Sequence, residues 1–223
     1  MFKVAILMKR RPDLSVQDFQ DRLRMSHAPL LAANAPGLRR FVQSCALAQG
    51  YAKGELRFDA IGEMWFDSMD DYDRCIRSSE FAAVREEEGA LLDRSRTVAM
   101  PVDVHVMKDG PVPDGAVKNI EFVNRRPGMA IEPFRSYWRN VHGPLGAKIP
   151  TIRRYEQNHL VAAEYQRSAA PAYDGLAITW FASTADMRKG VTTPEYAATR
   201  ADESHFLPDG HLPIILAREH VVL

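Results

Sequence analysis

The sequence predicts an α+β fold made of two ferredoxin-like repeats, each with the order β-α-β-β-α-β. Two observations support this fold class. The motif SHAPL at residues 26–30 returns as VHGPL at residues 141–145, and other matched motifs share the same separation of 115 residues. Within each copy, aliphatic runs typical of strands alternate with helical patterns in that order. A single internal copy of this length indicates a duplicated domain, because a solenoid has a shorter period and at least three copies.

The first helix of the first repeat has the clearest local signals. Ser15 is a typical N-cap, with Asp18 three residues on as in a capping box. Phe19, Leu23 and His27 follow at spacings of four residues, so they lie on one face of a helix. The Ala-Pro step after His27 is expected to end or kink this helix. Strands are predicted over residues 4–8, 38–47, 60–66 and 98–106, and a helix capped by Ser79 over residues 80–92.

The second repeat shows the same pattern. Its first helix opens at residues 132–133 and runs through Phe134, Trp138 and His142. Thr193, with Pro194 at the first helical position, begins its last helix. Strands are predicted over residues 117–123, 153–160, 176–181 and 214–222. Residues 108–115 (KDGPVPDG) have the Gly, Pro and Asp content of a linker. The predicted domains are a repeat over residues 1–107, this linker, and a repeat over residues 116–223.

A ferredoxin-like sheet carries helices on one face only, so its other face must be covered. Two such sheets in one chain can pack face to face and close into a barrel. The short linker favours this pairing, because it raises the effective concentration of one half near the other. We therefore predict an intrachain pseudo-dimeric α/β barrel, with a cavity between each sheet and its helices. An exposed strand edge or helix face would also permit a homodimer of such chains.

The amino-acid composition limits the kinds of molecule that this protein is expected to bind. Lys plus Arg equals Asp plus Glu, so no global charge attracts nucleic acid or an anionic membrane. Cys45 and Cys75 do not occupy matching repeat positions, which argues against a disulfide scaffold and for reduced thiols. No apolar run approaches the length of a membrane span. The sequence predicts a cytoplasmic protein whose partner is a small molecule.

Four residues are the candidates for catalysis. His27 and His142 lie near the end of a helix that faces the sheet, where an imidazole can move a proton. The alternative is that each ring holds the helix–loop junction by bonding a backbone carbonyl. Tyr155 adjoins a predicted strand and can donate to an oxyanion, although most tyrosines only pack. Glu63 lies mid-strand among apolar neighbours, so it either has a partner or a function, or it faces the rim and water.

The candidates for substrate binding are weaker. Each has a structural alternative: a salt-bridged surface for the arginines, the core for the tryptophans, and a satisfied core position for the strand histidines. The sequence contains no CxxC, HExxH, GxGxxG, GxSxG or P-loop motif. We therefore predict no metal and no cofactor. The substrate-binding candidates are Arg10, Arg125, Trp65, Trp180, His105 and His220.

The two helix boxes carry a family resemblance. The pattern F-x-x-x-L-x-x-x-H-A-P-L at residues 19–30, repeated as F-x-x-x-W-x-x-x-H-G-P-L at residues 134–145, resembles the EthD family of the dimeric α/β-barrel superfamily. The helix openings SEF at residues 79–81 and PEY at residues 194–196 fit the same family. The superfamily includes polyketide cyclases, muconolactone isomerases, cofactor-free monooxygenases, haem-handling enzymes and accessory proteins for ether degradation. The resemblance therefore implies the fold, whereas fold-level analogy says little about the chemistry.

The function expected from these residues is cofactor-independent acid–base catalysis. A lyase, isomerase or cyclase acting on a small hydrophobic or aromatic-derived compound fits side chains that only move protons. Two alternatives remain: a non-catalytic, small-molecule-binding accessory protein of a degradation pathway, and a monooxygenase or haem-handling relative. Aromatic compound catabolism is the expected setting.

Overall fold

The computed structural model describes residues 1–167 and 170–223. These residues form two compact units, Met1–Val102 together with Ala217–Leu223, and Asp103–Leu216. The described strands are β1 (Phe2–Met8), β2 (Arg40–Ala46), β3 (Ala60–Phe66), β4 (Val98–Lys108), β5 (Val117–Val123), β6 (Ile152–Leu160), β7 (Gly175–Phe181) and β8 (Ile214–Val221). Every predicted strand is therefore present, with its ends within two residues of the expected positions.

The helices complete the β-α-β-β-α-β order in each repeat, which confirms the predicted α+β, ferredoxin-like class. The α-helices are α1 (Val16–Arg22), α2 (Ala28–Asn34), α3 (Met69–Arg77), α4 (Ala82–Leu91), α5 (Ile131–Tyr137), α6 (Gly143–Ala147), α7 (Glu164–Arg167), α8 (Thr184–Gly190) and α9 (Pro194–Asp202). Two π-helical turns, Leu23–His27 and Trp138–His142, join α1 to α2 and α5 to α6. Within the part of the chain that the structure describes, no helix has the length and apolar character needed to cross a bilayer.

The first unit contains an antiparallel sheet in the order β4-β1-β3-β2-β8. Its helices pack on one face of this sheet. Val4 of β1 and Phe41 of β2 share a buried cluster with Leu31 of α2 and Val84 of α4. Residues 217–221 belong to this unit because they pair with β2, although the sequence assigns them to the second repeat.

The second unit contains β7 between β5 and β6, all antiparallel. A β-bulge between Ile152 and Arg154 shifts the register of β6 against β7. Val123 and Tyr155 of the sheet pack with Trp138 and Phe206 in a buried cluster. Residues 103–108 of β4 belong to this unit by their contacts, so the compact units differ from the predicted repeat boundaries at two strand ends.

The capping predictions have mixed outcomes. The Ser15 hydroxyl accepts the backbone N–H of Asp18 at 3.0 Å, which confirms the first cap. Thr193 caps α9 by accepting the N–H of Tyr196. The predicted Ser79 cap is wrong. Ser78 accepts the N–H of Phe81 at 3.2 Å instead, and the helix starts later than expected, at Ala82.

The first helix of each repeat does not end at its Ala-Pro or Gly-Pro step. It widens into a π turn and continues, with proline in the first turn of the next segment. In the first unit, the carbonyl of Leu23 accepts the N–H of Ala28 and also the side-chain amide of Gln43 at 3.1 Å. In the second unit, the carbonyl of Trp138 accepts the side-chain amide of Gln157 at 2.7 Å. A strand glutamine thus holds the first carbonyl of each π turn.

This contact generates a stability prediction. Gln43→Leu should lower the free energy of unfolding by about 1–3 kcal/mol, because a buried carbonyl loses a donor in a site closed to water. Urea titration monitored by circular dichroism measures the loss. Gln17→Leu, on an exposed face of α1, is the matched control and should change stability by no more than about 0.5 kcal/mol. Equal effects of the two substitutions would contradict a role for Gln43 in holding the turn.

Candidate functional site

The second unit encloses a cavity of ≈ 320 Å³ between its sheet and its helices. This volume lies at the lower end of the range for small-molecule sites. The strands supply alternate residues to the cavity wall, because successive side chains of a strand point to opposite faces. Asn119, Glu121 and Val123 come from β5, Ala177, Thr179 and Phe181 from β7, and Tyr155 from β6. The wall therefore combines apolar side chains with a few polar groups.

His142 lines this cavity and contacts a carboxylate behind it. His142, at the end of its π turn, is 7% exposed. Its Nδ1 lies 2.9 Å from Oδ2 of Asp202, the last residue of α9. The Tyr137 hydroxyl donates to the other carboxylate oxygen of Asp202 at 2.7 Å. The carboxylate is therefore held from two sides, and it fixes the Nδ1-protonated tautomer of the imidazole.

The protonation state of His142 follows from its surroundings. Burial lowers its pKa, and this effect exceeds the opposing influence of Asp202. At neutral pH the imidazole is uncharged. With the proton on Nδ1, the other ring nitrogen, Nε2, has a lone pair that can accept a proton from a ligand.

Tyr155 lines the same cavity. Burial raises the pKa of its phenol, and the side-chain amide of Gln157 donates to its hydroxyl oxygen at 3.0 Å. The phenol therefore keeps its proton and can donate it in a hydrogen bond. The structure thus brings together two of the four predicted catalytic residues, His142 and Tyr155, around one enclosed space.

An acidic group lies elsewhere on the cavity wall. Burial raises the pKa of Glu203 to about 7, with Arg200 opposing the shift and Glu121 adding to it. Burial also raises the pKa of Glu121, whose Oε1 accepts the side-chain amide of Asn119 at 3.1 Å. Arg200 forms an ion pair with Glu203 and lies 3.1 Å from Nδ1 of His211. This cluster combines two carboxyl groups whose pKa values are raised by burial with the guanidinium of Arg200.

His27 has a different environment in the first unit. It is fully buried, and its Nδ1 lies 3.2 Å from the side-chain amide of Gln43. Its Nε2 lies 3.5 Å from a carboxylate oxygen of Glu88. Nε2 makes no hydrogen bond to the described residues and, unlike His142, the ring does not line the cavity of the second unit. The two histidines of the repeated motif therefore have different partners.

Glu63 is buried and does not face water. Its carboxylate lies 2.6 Å from Nζ of Lys3, and both side chains are almost fully enclosed. The same ammonium group lies over the ring of Trp65, 4.9 Å from the centroid. In the second unit, Lys118 lies over Trp180 at 4.9 Å. Glu63 thus has the partner that the sequence required, and the two tryptophans each contact a lysine.

Arg10 and Arg125 contact the residues that precede the third strand of each repeat. The backbone N–H and the guanidinium of Arg10 both bond Asp59, the N–H at 2.9 Å. Arg125 bonds Asp174 in the same way, with the N–H at 2.7 Å. Tyr51 and Tyr165 donate to the same two aspartates, at 2.6 Å and 2.8 Å. These contacts anchor two strand ends in each repeat, whereas a ligand-binding role for the arginines stays a prediction.

The two strand histidines lie in different places. The ring of His105 contacts the ring of His159 edge to face, with the centroids 4.7 Å apart. His159 is buried and stacks on Trp138 at 4.2 Å. His220 is exposed on β8. None of the described histidine, cysteine and acidic residues form a group of three that could hold a metal ion.

Sequence reasoning missed Asp202 and most of the polar side chains on the cavity wall. Asp202 lies 60 residues from His142, and no spacing rule connects them. Glu121 did have a signal, since it stands between Ile120 and Phe122 in a predicted strand. Like Glu63, it is a carboxylate placed among apolar neighbours in a strand, where it needs a partner or a function.

Comparison with known proteins identifies the repeat. A family model described as the EthD domain matches residues 11–95 and again residues 126–209. None of the curated proteins compared with this chain matches it.

Among solved structures, an anthrone oxidase-like protein has a TM-score of 0.65 and 11% identity, over 99% of this chain and 92% of its own. A protein of Lactobacillus acidophilus NCFM proposed to be a monooxygenase has a TM-score of 0.56 and 15% identity, over 99% and 94%. A chlorite dismutase variant from Candidatus Nitrospira defluvii has a TM-score of 0.54 and 10% identity, over 99% of this chain and 92% of its own. At these identities the likeness shows a shared fold.

The buried His159 generates a pH prediction. Burial lowers its pKa to about 2 in the folded chain, whereas the pKa of a histidine in the unfolded chain is about 6.5. The unfolded state therefore binds more protons below that pH, and stability falls on acidification. Between pH 7 and pH 5, His159 should account for a loss of about 2 kcal/mol.

Urea titrations at the two pH values measure this loss. His159→Phe keeps a ring against Trp138 and should make the loss smaller by about 2 kcal/mol. His220→Gln removes an exposed histidine and should leave the loss as it is in the wild type. A pH dependence unaffected by His159→Phe would rule out this assignment.

The Lys3–Glu63 pair generates a second stability prediction. Glu63→Gln should destabilise the protein by about 3–5 kcal/mol, because the buried ammonium group loses its counter-charge. Adding Lys3→Met should recover part of that loss, as shown by thermal and chemical unfolding. Asp67→Asn breaks an exposed pair with Arg39 and should have little effect. A Glu63→Gln protein as stable as wild type would show that the pair does not stabilise the fold.

Proposed function

This chain belongs to the EthD family, and we propose that the cavity of its second unit is an active site for cofactor-independent acid–base catalysis. The substrate class is a small hydrophobic or aromatic-derived compound, and the reaction is a lyase, isomerase or cyclase step. The observation that carries the proposal is the 2.9 Å contact of Asp202 with His142, a residue that lines an apolar cavity. A neutral imidazole with a carboxylate behind it is a general base.

The proton moves between the substrate and Nε2 of His142. Tyr137 positions Asp202, and Asp202 keeps the proton of the resting imidazole on Nδ1. Nε2 takes a proton from a substrate carbon next to a carbonyl group, and the electron pair moves onto the carbonyl oxygen. The imidazolium then pairs with Asp202, which stabilises its charge in a site with little water. Returning the proton to a different atom completes an isomerisation, and giving it to a departing hydroxyl completes an elimination.

Tyr155 is suited to the negative charge that develops on the substrate oxygen. Its buried phenol keeps its proton, so it can donate a hydrogen bond to an enolate. Gln157 donates to the phenol oxygen from behind and thereby directs the hydroxyl proton away from itself. Tyr155 thus has the electrophilic role and His142 the role of the base.

The first unit supports catalysis less well. The ring of His27 is fully buried, Gln43 lies at its Nδ1, and its Nε2 has almost no accessible surface from which to reach a substrate. We therefore place the reaction in the second unit and give His27 a structural role. Association of two chains into a homodimer stays a prediction.

The test compares matched substitutions in the two repeats. Lactones, phenols and aromatic ring-cleavage products serve as the substrate panel. His142→Gln should lower kcat/KM by about 100-fold or more, because it removes the base. Asp202→Asn should also lower it, since the amide no longer favours the reactive tautomer. His27→Gln is the control in the other repeat and should keep activity close to wild type.

The pH profile gives an independent check. Because the pKa of His142 is lowered, kcat/KM should fall only on the acid side of about pH 6.5, where the base becomes protonated. Full activity of a folded His142→Gln protein would refute the mechanism. Tight binding of panel compounds without turnover by the wild type would favour the non-catalytic accessory protein instead.

A further inference from the structure

Asn119 lines the cavity and carries a buried polar atom that the proposed proton transfer does not use. The residue lies on β5, is 7% exposed and lines the cavity. Its side-chain nitrogen donates to Glu121. Its Oδ1 has no hydrogen-bond partner among the residues that the structure describes. A buried acceptor without a partner is costly, so this oxygen points to a donor on a ligand.

Two other side chains on the cavity wall that can donate hydrogen bonds have partners of their own. The guanidinium of Arg200 pairs with Glu203 and contacts His211. The Thr199 hydroxyl, which also lines the cavity, donates to the backbone carbonyl of Glu195 at 2.8 Å. Neither of these donors therefore satisfies Oδ1 of Asn119. The missing donor is best supplied from the cavity itself.

Glu121 narrows the chemistry of that donor. It follows Asn119 by two residues on one strand, so both side chains point to the same face. Its Oε1 accepts the Asn119 amide, and burial favours its protonated form, in which Oε2 carries the proton. The two residues then present one acceptor and one donor side by side. A hydroxyl group matches both, whereas an ammonium group only donates and an ether or a carboxylate only accepts.

We propose that Asn119 and Glu121 form a specificity site for a hydroxyl group on an otherwise apolar ring, as in a phenol or an enol. The hydroxyl donates to Oδ1 of Asn119 and accepts from Glu121, while the ring contacts apolar wall residues such as Phe181 and Leu212. The inference rests on the proposed function in taking the same cavity as the substrate site. Binding at this site does not require the base, His142.

The test uses a pair of probes that differ in one hydrogen-bond donor. 1-Naphthol carries the hydroxyl, and 1-methoxynaphthalene keeps the ring and oxygen but cannot donate. Affinities are measured by calorimetry and by quenching of tryptophan fluorescence, since Trp138 lines the cavity. Wild type should bind 1-naphthol about tenfold more tightly than its methyl ether. If wild type binds the two probes with equal affinity, the proposal is wrong, and no substitution is needed to show it.

Substitutions locate the preference. Asn119→Leu should bring the two affinities close together while the methyl ether still binds. Asn140→Leu, at an exposed position of the same unit, should keep the preference. A folded Asn119→Leu protein that still prefers 1-naphthol would overturn the assignment.

His142→Gln separates this proposal from the proposed function. It should lose turnover and keep the preference for 1-naphthol. If His142→Gln keeps full turnover but the preference depends on Asn119, the catalytic proposal fails and the hydroxyl site stands. If the preference disappears in His142→Gln but not in Asn119→Leu, the hydroxyl site fails.

Discussion

The site depends on one hydrogen bond from a strand to a helix. In the second unit, Gln157 of β6 donates to the carbonyl of Trp138, the first residue of the π turn. A π turn has one residue more than an α turn and leaves its backbone carbonyls less regularly paired. The glutamine satisfies the first of these carbonyls from the sheet. This hydrogen bond stabilises the π turn, and the turn places His142, its last residue, on the cavity wall.

The two repeats share this device and use it differently. In the first unit, Gln43 donates to Leu23 and also contacts His27, so the imidazole is tied to the sheet. In the second unit, Gln157 bonds Tyr155, and His142 turns to Asp202. The residue after the histidine differs too. Gly143 replaces an alanine, and a Cβ there would collide with Met107 and lie 2.9 Å from Nε2 of Gln157.

The features that the sequence predicted correctly are those whose signals lie within a few neighbouring residues. The strands, the Ser15 cap and the stripe of Phe19, Leu23 and His27 all follow from residues close together in the chain. The π turn has no such signal, because spacings of four residues fit an α-helix equally well. The bulge in β6 concealed in the sequence that Gln43 and Gln157 are equivalent residues of the two repeats. Gln43 pairs with Gly62, and Gln157 pairs with Ala177, which is the residue that matches Gly62 in the second repeat. The two glutamines are therefore equivalent, although their separation along the chain is one residue less than that of the matched motifs.

Burial away from water shifts the pKa values of the titratable groups on the cavity wall. The same loss of water lowers the pKa of His142 and raises those of Glu121 and Glu203. At neutral pH His142 is therefore uncharged and ready to accept a proton, while the two carboxyl groups lose their protons at a higher pH than ordinary carboxyl groups do. Environments that push the pKa values of bases and acids in opposite directions are what acid–base catalysis at one pH requires. Opening this cavity to water would return each group toward its ordinary pKa, so the enclosure that positions a ligand also sets the protonation states needed to act on it.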